Sequence, residues 1–285
     1  MMIHVNGVDY FYTMQGSGPP LLLLHGFTGD HATWTEFADR MQDRFTIISL
    51  DLLGHGKTSA PADSSRYETK QAANDLATIL ETLKIEKVHL LGYSMGGRLA
   101  LSFALLFPEK VKSLVLESAS PGLSIPEERE ARIHQDEQLA QMLEAKGIEE
   151  FVDYWQEIPL FSTQKNLPKA NQEKIRRQRL RQNPVGLAGS LRGMGTGQQP
   201  SWWSHLNDLL MPVQLICGDK DPKFCRIARD MVKVIPNAKM TEVPNVGHAI
   251  HVEDLKSFDT IVREFLINLE RSSEYVDSMD KQKRV

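Results

Sequence analysis

Leu90-Leu91-Gly92-Tyr93-Ser94-Met95-Gly96-Gly97 sets a serine between glycines in a G-x-S-x-G pattern. The run before it, Lys87-Val88-His89-Leu90-Leu91, reads as a buried strand. The run after it, from Arg98 to Phe107, reads as a buried helix stopped by Pro108. Strand, sharp turn and helix in that order make a nucleophile elbow. A serine at the tip of such a turn has strained backbone angles, and glycine neighbours let strand and helix approach. The turn lifts the Ser94 hydroxyl out of the sheet and points the Met95 N–H at the same spot. This stretch therefore predicts a reactive hydroxyl, half of an oxyanion hole and an α/β fold.

The rest of the chain fits a soluble α/β protein. Its 285 residues are enough for a substantial core. A formal net charge of −4 gives no general drive toward nucleic acid. No run of 18 apolar residues is present, and Met1–Gly7 lacks the basic segment and apolar core of a secretion signal. A cytoplasmic enzyme without a membrane or nucleic-acid partner is expected. Cys217 and Cys225 make neither a disulfide framework nor a zinc site and read as buried reduced thiols. Nothing calls for a metal or organic cofactor.

Short apolar runs alternate with amphipathic ones. Met2–Val5 and Asp9–Met14, joined through Asn6-Gly7, predict a hairpin. Further strands are expected over Leu21–Leu24, Thr46–Leu50, Val88–Leu91, Leu114–Leu116, Val213–Ile216 and Lys239–Val243. Helices are expected over Trp34–Met41, Thr69–Leu83, Gly97–Phe107, Phe224–Ile235 and Leu255–Leu269. This alternation implies a mostly parallel sheet with helices on both faces. Between Pro121 and Trp203 no strand pattern occurs, and helical runs at Pro126–Lys146 and Glu149–Gln156 predict a cap over the sheet. The expected organisation is core 1–120, cap 121–203, core 204–270, and a frayed polar tail 271–285.

A serine hydroxyl needs a base, and the base needs an orienting acid. In elbow-containing folds the acid follows the serine and the histidine follows the acid. Cys217-Gly218-Asp219-Lys220-Asp221-Pro222 follows a strand, so its acids lie on a loop at the sheet's C-terminal edge. Asp221 is the expected acid, with Asp219 as competitor able to bond its own turn. Val246-Gly247-His248 follows the next strand and supplies the base, His248; His251 is read as structural. The second oxyanion donor is expected from His25-Gly26-Phe27-Thr28-Gly29, as the N–H of Phe27. Asp51-Leu52-Leu53-Gly54-His55-Gly56 lacks phosphate-loop spacing and reads as scaffold. From Lys165 to Arg181 seven basic residues face one acid, and most read as a solvated helix surface. Arg98, one turn after the elbow, is expected to be buried, which is costly unless it meets an anion. A small substrate carrying carboxylates is the expected partner.

At this point the chain resembles the α/β-hydrolase superfamily, through His25–Gly29, Gly54–Gly56, Gly92–Arg98, Gly218-x-x-Asp221 and Gly247-His248. Within it, Tyr93, Arg98, Ser120–Leu123 leading into Glu127–Arg132, Tyr154-Trp155-Gln156 with Pro159-Leu160-Phe161, and Leu180–Asn183 are similar to the SHCHC synthase family of menaquinone biosynthesis. The similarity covers about residues 3–270 and implies an elimination of pyruvate in which the serine acts as a base and the oxyanion hole stabilises an enolate. By motif match it implies that Arg98, Arg132 and Arg181 bind carboxylates, with Arg129 an alternative to Arg132, and that Tyr93 and Trp155 line the pocket. Leu53 stands where many relatives carry proline. The same triad would serve an esterase or a carbon–carbon bond hydrolase. The intact triad argues against a non-catalytic receptor, and Ser94 stands where dehalogenases and epoxide hydrolases carry aspartate.

Overall fold

The computed structural model describes the backbone of residues 1–282 and the side chains through 272. Eight strands form one sheet: β1 (Met2–Val5), β2 (Val8–Gln15), β3 (Pro20–Leu24), β4 (Thr46–Leu50), β5 (Val88–Tyr93), β6 (Val111–Glu117), β7 (Val213–Gly218) and β8 (Ala238–Val243). Their spatial order is β1-β2-β4-β3-β5-β6-β7-β8. The β1–β2 hairpin is antiparallel and β2 runs antiparallel to β4; every other pair is parallel.

The tetraleucine of β3 shows why this sheet is covered on both sides. Leu22 and Leu24 point into a core shared with α2 (Thr69–Thr82) and α3 (Met95–Leu106). Leu21 and Leu23 point into the opposite core, with α1 (Thr35–Met41) and the last helix, Leu255–Gln282. A strand buried on both faces carries no polar alternation. After β3 the chain moves to β4 on one side and then returns to β5 on the other. The C-terminal ends of β3 and β5 therefore flank the crevice where such sheets bind ligands.

Between β6 and β7 the described backbone is helical or irregular, with α4 (Pro126–Trp155), α5 (Lys169–Leu180), α6 (Pro184–Met194) and short 3₁₀ segments, including Pro159–Asn166. The two helices expected in α4 are one element kinked at Gly147, where φ is 80°. Ala140, Leu143, Phe151, Val152, Leu187, Ala188 and Leu191 give this segment its own apolar core. At its base the Trp202 N–H donates to the Pro121 carbonyl at 2.7 Å. Helix α7 (Pro222–Val232) follows β7, and the short α8 (Ile250–Glu253) follows β8. The terminal helix α9 (Leu255–Gln282) departs from the expectation of a frayed tail after Arg271, because no glycine or proline interrupts it before Gln282. The last three positions of that expected tail, 283–285, lie outside the described residues.

Candidate active site

Ser94 occupies the turn between β5 and α3 with φ 50° and ψ −107°, a conformation that β-carbon sterics disfavour. Close packing holds it there. A Cβ on Gly92 would lie 2.4 Å from the Gly96 carbonyl oxygen, and one on Gly96 would lie 2.3 Å from that of Leu24. The Ser94 N–H donates to the Glu117 carbonyl at 2.8 Å, which ties the elbow to the end of β6.

The acid and base arrive on the loops after β7 and β8. His248 and Asp221 are 1 % and 6 % exposed. His248 Nδ1 lies 2.6 Å from Asp221 Oδ2, and its Nε2 lies 2.9 Å from Ser94 Oγ. The carboxylate can only accept, so Nδ1 carries the proton and Nε2 is left to accept from the serine. Asp219 turns away and accepts from the Asn245 N–H at 2.8 Å, so it bonds the loop after β8 and not its own turn as expected. Asp221 also caps α7 by accepting from the Phe224 N–H. Nearby, the buried Cys225 thiol donates to the Gly218 carbonyl at 3.1 Å and lies 2.7 Å from Cys217 Sγ.

His251 is buried with both Glu117 carboxylate oxygens near its Nδ1, at 2.8 and 2.9 Å, and its ring lies 4.7 Å from that of Trp34. Glu117 thus holds the elbow by its backbone and the helix after His248 by its side chain. Glu253 makes a second tie. One of its oxygens accepts from the Gly247 N–H at 2.8 Å and the other from the Thr163 hydroxyl at 3.0 Å. Thr163 belongs to the cap and seats against Gly247, where a Cβ would come within 2.2 Å of its hydroxyl oxygen.

Phe27 and Met95 line the same cavity as Ser94 and His248. Met95 is the first residue of α3, so its N–H has no partner within the helix. The loop carrying Phe27 is fixed by His25, whose Nε2 accepts from the Leu52 N–H at 3.0 Å while Nδ1 donates to the Gly26 carbonyl at 2.8 Å. Burial holds His25 below the usual histidine range, which keeps it neutral in that role.

The cavity measures about 510 Å³ and lies between the C-terminal edge of the sheet and the cap. Arg98, Arg132 and Lys223 line it, and among the described residues no aspartate or glutamate does. Arg98 donates through Nη1 to the Met194 carbonyl at 2.8 Å and to Gln199 Oε1 at 3.1 Å. Among the described residues no carboxylate pairs with it, and burial pushes its guanidinium down to about 10. Arg132 bonds Asp136 through Nε at 2.8 Å. The other Asp136 oxygen is buried without a partner, and burial outweighs the arginines to hold this carboxyl above the usual range. Arg129, the alternative to Arg132, instead donates to the Gln199 carbonyl at 2.7 Å and does not line the cavity.

Tyr93 and Trp155 both line the cavity. The Tyr93 ring lies 5.4 Å from that of His248, and the buried indole N–H of Trp155 has no acceptor among the described residues. Arg181 does not join them. It follows α5 as its C-cap, is exposed, and lies outside the cavity. The reason is helical phase. Arg179, two positions earlier, points inward, and residues two apart on a helix face roughly opposite ways. Lys223 was not anticipated, although its place two residues after Asp221, at the start of α7, was a legible signal. A larger groove of about 1140 Å³ runs past Pro20, Thr46, Lys87 and Val111, at the opposite ends of the strands from the triad.

A family model for the alpha/beta hydrolase fold matches residues 19–255. A Bacillus subtilis protein named as a putative 2-succinyl-6-hydroxy-2,4-cyclohexadiene-1-carboxylate synthase is 47% identical over 266 residues, covering 93% of this chain and 97% of that one. The synthase of that name from an Enterobacter strain is 30% identical over 236 residues, covering 83% of this chain and 87% of its own length. The solved structure of MenH from S. aureus superposes with a TM-score of 0.88 at 36% identity, covering 92% of this chain and 98% of that one. With the elbow, the triad geometry and the cap already in place, these likenesses show that the chain belongs to the α/β-hydrolase superfamily and, within it, to the 2-succinyl-6-hydroxy-2,4-cyclohexadiene-1-carboxylate synthase family.

Proposed function

We propose that this protein is a lyase that eliminates pyruvate from 2-succinyl-5-enolpyruvyl-6-hydroxy-3-cyclohexene-1-carboxylate. The product is 2-succinyl-6-hydroxy-2,4-cyclohexadiene-1-carboxylate, an intermediate of menaquinone biosynthesis. The observation that carries the reading is the charge of the cavity: among the described residues three cations and no carboxylate line the space above Ser94. Arg132 already meets Asp136, so Arg98 and Lys223 are the lining cations without a carboxylate partner among the described residues, and a polycarboxylate substrate supplies their counter-charge.

In this reading Ser94 Oγ takes the ring proton beside the succinyl ketone and passes its own proton to His248 Nε2. Asp221 holds the imidazole in the accepting tautomer and stabilises it once charged. The electron pair of the broken C–H bond moves onto the ketone oxygen, toward which the Phe27 and Met95 N–H groups are assigned. Collapse of that enolate forms a C2–C3 double bond, shifts the existing C3–C4 double bond to C4–C5 and breaks the C5–O bond to the enolpyruvyl group. The leaving enolate takes up a proton and becomes pyruvate. Arg98, Arg132 and Lys223 would bind carboxylates, while Tyr93 and Trp155 would enclose the ring. A polycarboxylate substrate free in the cytoplasm fits such a site.

Incubation with the enolpyruvyl intermediate should release one pyruvate per product formed, read by a coupled reductase assay. Ser94→Ala and His248→Ala should each lower kcat by at least ~10²-fold, since each removes a positioned proton-transfer group. No adduct should accumulate on Ser94 during turnover in rapid-quench intact-mass spectra. A substrate-derived adduct, or ester hydrolysis without pyruvate release, would overturn the lyase in favour of a hydrolase on the same triad.

A further inference from the structure

We propose that Cys217 and Cys225 form an oxidation-sensitive dithiol beside the triad, which a hydroperoxide converts into a disulfide that slows turnover. Cys217 is the penultimate residue of β7, and Cys225 lies one turn into α7. They are the chain's two cysteines, both free and buried. Their sulfurs lie 2.7 Å apart, about 0.65 Å beyond the ~2.05 Å of a bonded pair.

Between the two thiols runs the segment that brings Asp221 to His248 and Lys223 to the cavity. The Gly218 carbonyl holds the base of that segment. It accepts from the Asp221 N–H at 2.9 Å and from the Cys225 thiol at 3.1 Å. A disulfide removes the thiol donor and draws α7 toward β7, so it acts on the position of the acid.

A thin cover separates the thiols from water. Glu242 stands opposite Cys217 on β8, with an oxygen within 4.8 Å of both sulfurs. It accepts from Arg229, one turn after Cys225, at 2.5 Å. The Glu242 and Arg229 side chains are 36 % and 54 % exposed, and such a surface pair adds little to hold the cover shut. Burial pushes both thiols above their ordinary range, and Arg229 opposes that by favouring a thiolate. Burial therefore slows the first step of oxidation, and proximity speeds the second.

With hydrogen peroxide, the Cys225 thiolate attacks one oxygen, the O–O bond breaks, and a sulfenic acid and water form. The Cys217 thiolate then attacks the Cys225 sulfur, forms the S–S bond and expels hydroxide, which takes up a proton. The two thiols lose two electrons, and the peroxide leaves as two waters. The disulfide does not rest on the lyase reading; only its readout through pyruvate does.

Treating the full-length protein with hydrogen peroxide should join the tryptic peptides that carry Cys217 and Cys225, which Lys220 and Lys223 separate, into one linked pair. In the same samples kcat for pyruvate release should fall at least ~3-fold, since small displacements of a catalytic group are felt. Dithiothreitol reduces a disulfide but not methionine sulfoxide, so it should restore the rate. Cys225→Ser keeps a donor to Gly218 and should hold its activity under peroxide; should it fail to fold, Cys217→Ala serves instead. Absence of the linked pair, a linked pair with unchanged kcat, or equal inactivation of the serine variant would overturn the proposal. A reduced parent that releases no pyruvate would strike the lyase reading, while the linked pair and the hydrolysis rate of an activated ester would still decide this one.

Discussion

At the scale of single residues, Arg98 decides whether the cavity is built for an anion. Its partners are a carbonyl and an amide oxygen, so it brings an uncompensated charge to the site. Arg98→Ala should lower kcat/KM by about 2 kcal/mol, the worth of a hydrogen bond to a charged group, with little loss of melting temperature. Arg98→Lys should recover only part, since an ammonium lacks the planar fork. A destabilised Arg98→Ala protein with unchanged kcat/KM would instead mark the arginine as structural. Arg181 provides the contrast: exposed and outside the cavity, it should tolerate alanine with changes under about 0.5 kcal/mol in kcat/KM and stability alike. A large loss there would restore the carboxylate role implied by resemblance. Which residues of the site could be read from the sequence follows the same division. Ser94, Asp221 and His248 sit in loops whose position follows from a preceding strand. The facing of Arg179 and Arg181 depends on the phase of α5, a helix whose polar sequence has no apolar stripe to set it.

Among the elements, the junction of β8's loop with the cap carries a testable dependence. Gly247, Thr163 and Glu253 meet immediately before His248, so the seating of the cap and the placement of the base share one carboxylate. Thr163→Val removes a hydroxyl bonded to that carboxylate and should lower kcat/KM by about 1.5 kcal/mol, close to tenfold. Gly247→Ala should do more damage, because its methyl group enters the space of the Thr163 side chain. Adding Thr163→Ala to Gly247→Ala should return part of the activity, and additive losses in the double variant would show the two to be unconnected. Strands were the most legible elements, since β3 is an unbroken apolar run and β4 and β5 are short, mostly apolar ones. The expected β6 began at Leu114, whereas the strand starts at Val111, because the polar Ser113 is buried by bonding His89 at 2.7 Å. Helix α6, rich in glycine, escaped the pattern, and α5, almost wholly polar, was legible only as a solvated helix surface without bounds.

For the molecule as a whole, buried neutral histidines make stability depend on pH. Burial pushes His55 down to about 3 from an ordinary 6.5. Between those values the unfolded chain binds a proton that the folded chain refuses, so stability falls as the solution is acidified through that window. The loss from His55 approaches about 1.4 kcal/mol for each pH unit below 6.5. Urea unfolding of His55→Phe should show a shallower decline from pH 6.5 to 4.5 than the parent chain, and parallel curves would rule out the contribution of His55. The overall sheet topology followed from the alternation of strand and helix, whereas the cap's internal packing depended on contacts between distant segments. Leu114 pairs with Val213, so the strands that give rise to the cap and receive it are neighbours, and the Trp202–Pro121 bond closes the opening between them. The whole cap leaves and re-enters the core at one doorway. Ancestral insertions, deletions or exchanges there could have changed what the protein admits without shifting one strand of the sheet that holds Ser94. The part of the selectivity that Arg132 and Trp155 carry is thus inherited on a stretch of chain separate from the one that holds Ser94.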